Sequence, residues 1–434
     1  MQEAFLHHVW SLQYFSKQGL TTSQDEPVEI FFPGTLNRDA GPDFSQARMR
    51  IGVMQWIGNV EIHIRSSGWT EHRHDDDSAY DSVILHVVWQ DDRPVKRRDG
   101  TLLPTIELRG RVQELLVSSY RQLVTSSFSI PCQRQFPEIS EITKTTAFAR
   151  SLTERLERRA GEVQAVLVSN GNNWEETAYQ VLAGAYGFKI NKEPFIQLAR
   201  AMPLRILLRH QAHEQVEALV FGQAGFLDGK RGDNYYQALR KEYQLLSHKY
   251  QLEAAKLSRA QWLFLRLRPS NFPTLRLAQF CAVVSNRRSL FSRLLELTSS
   301  KEILDFLQAP VSSYWTNHYR FSSPPGRRSY ELGRESAGVI LVNTVMPLLV
   351  AYARYNDREE YMNRALLLLE ELQPEVNSIT RRWSDLGRPP QTAGEAQGQI
   401  ELFNTFCREK RCLQCAIGAA IIRPLEDELG ATAD

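Results

Sequence analysis

Five cysteines in 434 residues are too few and too unevenly placed for a disulfide framework, which fits a reducing compartment. No stretch reaches the roughly 18 consecutive apolar residues of a spanning helix. Even Ala337 to Ala353, the most apolar helical stretch, is interrupted by Asn343 and Thr344. The opening residues MQEAFLHHVW lack the basic start and continuous apolar run of a secretory signal, so export is not expected. These absences point to a soluble, cytoplasmic protein without a membrane partner. An excess of charge of one sign is also missing. With 52 basic against 50 acidic side chains the formal net charge is +2, so any contact with nucleic acid must use a local patch. A phosphate loop is absent as well: Gly222-Gln223-Ala224-Gly225 lacks the Lys and Ser or Thr that would follow, and reads as a turn.

Apolar residues at 42% and charged residues at 24% are ordinary globular values, and a chain of this length exceeds one hydrophobic core. Phe5, Val9, Leu12 and Phe15 give an opening amphipathic helix over 3–17. Strands follow at Val28–Phe32, Ala47–Ile51, Gln55–Ile64 and Val83–Trp89. Asp99-Gly100 is a hairpin-turn signal that carries the sheet on to Leu108. Helical periodicity returns over Val112–Leu123. Residues 126–138, including SSFSIPCQRQFP, have the composition of a linker. Beyond them nearly every segment is helical, with helices expected at 148–168, 174–186, 194–201, 235–250, 275–284, 290–297, 337–353, 359–372 and 398–406, and no fixed repeat. The expected class is α+β: a mixed α/β module of about five strands over 1–125, a linker over 126–138 and a larger all-α domain over 139–434.

Six of the ten histidines fall before residue 87, alongside Asp43, Glu61 and the acidic run Asp75-Asp76-Asp77. Side chains alternate on a strand, so Glu61 and His63 share one face while Val60 and Ile62 take the other. If Asp43 begins the neighbouring strand, that face gathers two carboxylates and an imidazole. Oxygen ligands of this kind suit Mg²⁺ or Mn²⁺, and a bound divalent ion activates water and stabilises charge on a phosphate oxygen. An alternative uses His63, His72, His74 and His86 as ligands to Zn²⁺ or another transition metal.

A second cluster closes the chain. Cys407-x4-Cys412-x2-Cys415 can bring three thiolates to one ion, and Cys132 is the candidate fourth ligand. Zinc and an iron–sulfur cluster both suit four cysteines. Cys281, beside Phe280 on an apolar helix face, is expected in the core.

Pro42-Asp43 followed by Glu61-Ile62-His63 resembles the PD-(D/E)XK phosphodiesterase superfamily, as does the order helix, three strands, further strand. The resemblance covers the first quarter of the chain and implies a restriction-endonuclease-like module in which Asp43 and Glu61 bind metal. His63 stands where that superfamily has lysine, and Asp76-x3-Tyr80 only partly matches its Gln-x3-Tyr. The cysteine layout is similar to that of some of its members in DNA repair and CRISPR adaptation. The strings AGPDFSQA, WIGNVEIH, FLRLRPSNFP and CLQCAIG together resemble a bacterial family described only as a domain of unknown function. The expected activity is a metal-dependent phosphodiesterase on nucleic acid, with Asp43 and Glu61 as ligands and His63 as ligand or water-orienting group. The alternative is a non-catalytic binding or scaffold protein with a degenerate nuclease-like module and a structural cysteine cluster.

Overall fold

The computed structural model describes residues 1–285, 289–326 and 331–423. It is α+β and divides into two compact units. The first comprises Met1–Phe148, Asp385–Arg388 and the chain from Ile400 onward, and the second comprises Ala149–Ser384 and Pro389–Gln399. The expected linker lies inside the first unit and is packed, with Ile130, Cys132 and Phe136 buried. The cysteine-bearing end expected to finish the helical domain belongs to this same unit.

The first unit opens with helix α1 (Glu3–Ser11), which buries Phe5, Leu6, Val9 and Trp10. It stops well short of residue 17, because Gln13 turns left-handed and Phe15 folds back to stack on Trp10. Strands β1 (Val28–Phe32), β2 (Thr35–Leu36), β3 (Phe44–Ile51) and β4 (Met54–Arg65) follow. β3 turns into β4 through Gly52, whose positive φ suits a tight reversal. A four-residue helix α2 (Gly68–Glu71) and a 3₁₀ turn at Ser78–Tyr80 lead to β5 (Val83–Gln90), then β6 (Thr105–Glu107) and helix α3 (Glu114–Thr125). The sheet order is β1-β3-β4-β5-β6, with β2 paired to β3. β1, β3 and β4 are antiparallel neighbours, whereas β4, β5 and β6 run parallel. β5 is buried from Val83 to Val88, as a central strand covered on both faces must be.

The hairpin expected around Asp99-Gly100 forms the turn, but its flanks make only one bridge, Lys96 to Leu102. The strand beyond it pairs parallel to β5 instead. Helix α3 packs on α1 through Tyr120, whose ring stacks 4.4 Å from that of Phe5.

The second unit is helical. Most of α4 (Glu141–Ser169) belongs to it, and its core is one contiguous cluster. The helix Pro273–Ser285 is buried on all sides from Pro273 to Val284, so it runs through the centre, and it carries the fully buried Cys281. The turn expected at 222–225 begins later than read: Gly222 still belongs to the helix His213–Gln223. That helix was missed because it is buried nearly all round and shows little 3.6-residue contrast. The stretch Arg334–Asn356 is long and apolar enough to cross a membrane by length and composition, but 67% of its apolar window is buried. Ile340, Leu341, Val345 and Met346 are all in the second unit's core. A π-turn at Leu341–Val345 interrupts it where Asn343 accepts from Arg155 and Arg159.

Phe280 sits among Tyr179, Tyr186 and Phe195 at ring distances of 5.5, 5.6 and 6.3 Å. Phe280→Ala is expected to lower unfolding stability by about 3–5 kcal/mol. Urea denaturation followed by tryptophan fluorescence and circular dichroism checks this, and an unshifted midpoint would mean that the central helix is not packed as described.

Candidate functional site

The parallel pairing of β4 with β5 sets Glu61 opposite His86 and His63 opposite Val88. Asp43 lies just before β3, whose Phe44 pairs with Val60, so the two carboxylates expected to meet do so. The Asp43 N–H donates to Glu61 Oε2 at 3.1 Å, and the Ile62 N–H donates to Asp43 Oδ2 at 3.0 Å. His7, which the sequence reading did not select, places Nε2 3.2 Å from Asp43 Oδ2. The spacing of Glu3 and His7 on one face of α1 was the available signal, since both approach the carboxylate pair.

After β4 the chain turns over the sheet. Ser66 and Ser67 anchor this turn on Asp92, with Ser66 Oγ and the Ser67 N–H donating to Asp92 Oδ1 at 2.8 and 2.9 Å. Helix α2 then passes so close to the His63 ring that a Cβ on Gly68 would lie 2.8 Å from its Cδ2. Only glycine lets the turn sit there without moving the imidazole. Arg73 takes a left-handed conformation between His72 and His74. His74 stacks on Tyr80 at 3.8 Å, and Trp69, buried beneath, donates its indole N–H to the Lys96 carbonyl.

Four imidazoles and a carboxylate therefore converge. His63 Nδ1 is 2.9 Å from His86 Nε2, and His63 Nε2 is 3.2 Å from His72 Nδ1. Glu61 Oε1 is 3.4 Å from His74 Nε2 and 3.8 Å from His63 Nε2. His63, His72 and His74 each offer a ligand nitrogen, all within 4.8 Å of one another. Ligands about 2.0–2.1 Å from a tetrahedral ion are roughly 3.3 Å apart, so the 3.2 Å His63–His72 separation suits a metal's first shell, and the set of three would draw together around an ion. His86 is fully buried, packs 5.6 Å from the Trp69 ring and sets Nε2 against the far nitrogen of His63, the place of an outer partner that fixes tautomer and ring orientation.

Burial governs the electrostatics. Desolvation first, and then the neighbouring Asp43, raise the Glu61 carboxyl to about 8. Desolvation, reinforced by the other imidazoles, lowers His63 to about 3, and burial lowers His86 to about 3. Near neutrality His63 and His86 are neutral imidazoles, the form that ligates metal, and Glu61 keeps its proton until a cation arrives.

The predicted cysteines form a second group in the same unit. Cys132, Cys407, Cys412 and Cys415 all line one small enclosed cavity. Desolvation, then the neighbouring sulfurs, push the Cys132 thiol up to about 12 and the Cys412 thiol to about 11. A more apolar cavity of about 400 Å³ lies in the second unit, with walls including Val163, Val181, Ile196 and Ile340 and a rim including Lys189 and Lys192. Among the described residues His63, His72 and His74 form a group able to hold a metal ion, and none of them lines this cavity.

A family model described as protein of unknown function (DUF2851) matches residues 3–378, and the chain belongs to that family. No curated protein and no solved structure matches the chain.

Two measurements test the site. Gly68→Ala pushes a methyl into the His63 ring and is expected to weaken metal affinity about 10–100-fold, measured by competition with a chromophoric chelator. The second concerns pH. His63 and His86 are neutral in the fold but protonate near 6.5 when unfolded, so their contribution is present above 6.5 and lost as pH falls toward 3. Glu61 runs the other way: its contribution is present below 4.5 and lost as pH rises through about 8. The thermal stability of metal-free protein is therefore expected to peak near pH 6.5, and Glu61→Gln should abolish the decline above the peak.

Proposed function

We propose that the sheet-bearing unit is a divalent-metal-dependent hydrolase that cuts phosphodiester bonds of nucleic acid. The observation that carries this reading is the convergence of Glu61 Oε1 with His63, His72 and His74 beside the Asp43–His7 pair. Element order in the first quarter of the chain adds support, since a helix, an antiparallel strand set and a further strand are the order of the PD-(D/E)XK enzymes that the Pro42-Asp43 and Glu61-x-His63 strings resemble.

An imidazole-rich donor set favours Zn²⁺ or Mn²⁺ over Mg²⁺, which prefers oxygen ligands and retains its waters. His63, His72 and His74 would hold the ion and leave a fourth position open, with Glu61 and Asp43 beside it. Such an ion supplies Lewis acidity and a bound water of lowered pKa. The remaining chemistry belongs to the chain. His86 orients His63 through its far nitrogen, and Tyr80 holds His74 by stacking. The Asp43–His7 pair, about a quarter exposed, is placed to hold or pass a proton at the rim, the role of a carboxylate-oriented histidine in general acid–base catalysis. Arg73, exposed between two ligands, provides a local positive charge for a phosphate. No lysine is needed beside the nucleophile if the ion itself carries the positive charge, which answers the replacement of the superfamily's lysine by His63.

The test is cleavage of labelled single- and double-stranded DNA and RNA by metal-stripped protein supplied with Mn²⁺, Zn²⁺ or Mg²⁺. Cutting with Mn²⁺ or Zn²⁺ is expected, with Glu61→Gln and His72→Ala reducing the rate by about 10²-fold or more and His7→Gln by a smaller factor. Folded, metal-loaded protein that cuts none of these substrates would sink the hydrolase reading and favour the binding or scaffold alternative.

A further inference from the structure

We infer that Cys132, Cys407, Cys412 and Cys415 hold one thiolate-ligated metal centre that locks the returning end of the chain into the sheet-bearing unit. Four of the five cysteines in the sequence line a single cavity of about 10 Å³, walled otherwise by Pro131, Leu402, Phe406, Ile417 and Gly418. Cys132, Cys407 and Cys412 are unbridged thiols there, each no more than 7% exposed. Thiols are weak hydrogen-bonding groups, so polar pairing gives no reason for positions 132 and 407–415 to gather in an apolar pocket, whereas a thiophilic metal does.

The backbone is shaped to present these sulfurs. Cys407 ends the π-turn Phe403–Cys407, and Lys410, in a left-handed conformation, reverses the chain. Cys412 opens a 3₁₀ turn and Cys415 is the N-cap of the helix Ala416–Ile421. The Arg411 N–H donates to the Phe406 carbonyl at 2.8 Å and the Cys415 N–H to the Cys412 carbonyl at 3.2 Å, which closes the loop on itself. A Cβ on Gly418 would lie 2.1 Å from the Cys412 carbonyl oxygen, so the short helix packs against the loop only because that residue is glycine. Cys132 comes from the turn after α3, and the Lys410 ammonium donates to the Val124 carbonyl at the end of α3. That hydrogen bond ties the returning segment to α3, and a four-thiolate centre would add folding energy directly.

Zinc and an iron–sulfur cluster share this ligand chemistry, and the experiment separates them. The full chain, carrying His63→Ala and His72→Ala so that the histidine site takes up no metal, is purified without oxygen from cells supplied with both zinc and iron. About one centre per chain is expected, read as zinc by elemental analysis or as iron with acid-labile sulfide and visible absorption. Cys412→Ser with Cys415→Ser should reduce the content to background. If those variants do not fold, cobalt exchanged into the Cys-intact protein must give a sulfur-to-cobalt charge-transfer band. Folded protein without metal, metal retained in the serine variants, or bound cobalt without that band would each overturn the assignment. The readout is independent of hydrolytic activity.

Discussion

The parallel pairing of β4 with β5 is the constraint from which the site follows. Antiparallel strands can be joined by two residues, as β3 and β4 are at Gly52, but a parallel pair requires the chain to travel back along the sheet before re-entering it. The connection from Ser66 to Ser82 makes that journey, and it carries Gly68, His72, His74 and Tyr80 across the end of β4 where Glu61 and His63 stand. Such crossovers usually take an amphipathic helix of some length. Here the helical part is only four residues, so the crossover packs through Trp69 on Val83, Val95 and Leu103 and brings His72 and His74 to His63 and Glu61. A helix of ordinary length would hold the ligands on a fixed face at 5–6 Å spacing. The short, tightly wound connection can bring them nearer.

Burial then does what proximity alone would not. Imidazoles on a wet surface titrate near neutrality and repel one another when protonated. Under cover His63 and His86 stay neutral, and a ring nitrogen without a proton is a lone pair available to a cation. Glu61 is driven the opposite way by the same desolvation, so neither Glu61 nor His63 carries a buried charge near neutrality in the absence of metal. Neutrality has an energetic consequence: a bound cation must displace the Glu61 proton, coupling affinity to pH, while meeting imidazoles already in their ligating form.

Much of this was legible in the sequence because it rests on short-range rules. The two-residue period of Val60-Glu61-Ile62-His63 placed the carboxylate and imidazole on one face, the Gly52 reversal set β3 against β4, and the apolar run 83–89 identified the central strand. The sequence did not disclose which partner β5 would choose, since strand pairing is settled by long-range packing. Without that pairing His86 could not be placed behind His63, and the histidines of the crossover could not be weighed against the carboxylates. His7 lay outside the reading for the same reason. Residues 126–138 misled through composition: Ser and Pro signal a break in regular structure, but a chain without regular structure can still bury Ile130, Cys132 and Phe136.

The two compact units are not consecutive in sequence, and that arrangement bears on the cysteines. A chain that leaves the sheet-bearing unit at Phe148, touches it again at Asp385–Arg388 and rejoins it at Ile400 closes a loop of more than two hundred residues. The entropic cost of closure grows only slowly with loop length. Ile400, Leu402, Phe403, Ile417 and Ile422 are buried, and the helix Ala416–Ile421 spans less than two turns, too short to persist without such packing. Cross-links gain most where they close long loops and where local structure is weakest, and both conditions meet where Cys132 faces Cys407, Cys412 and Cys415. A metal clasp differs from a disulfide in that thiolates bound to metal need no oxidation to join distant parts of the chain.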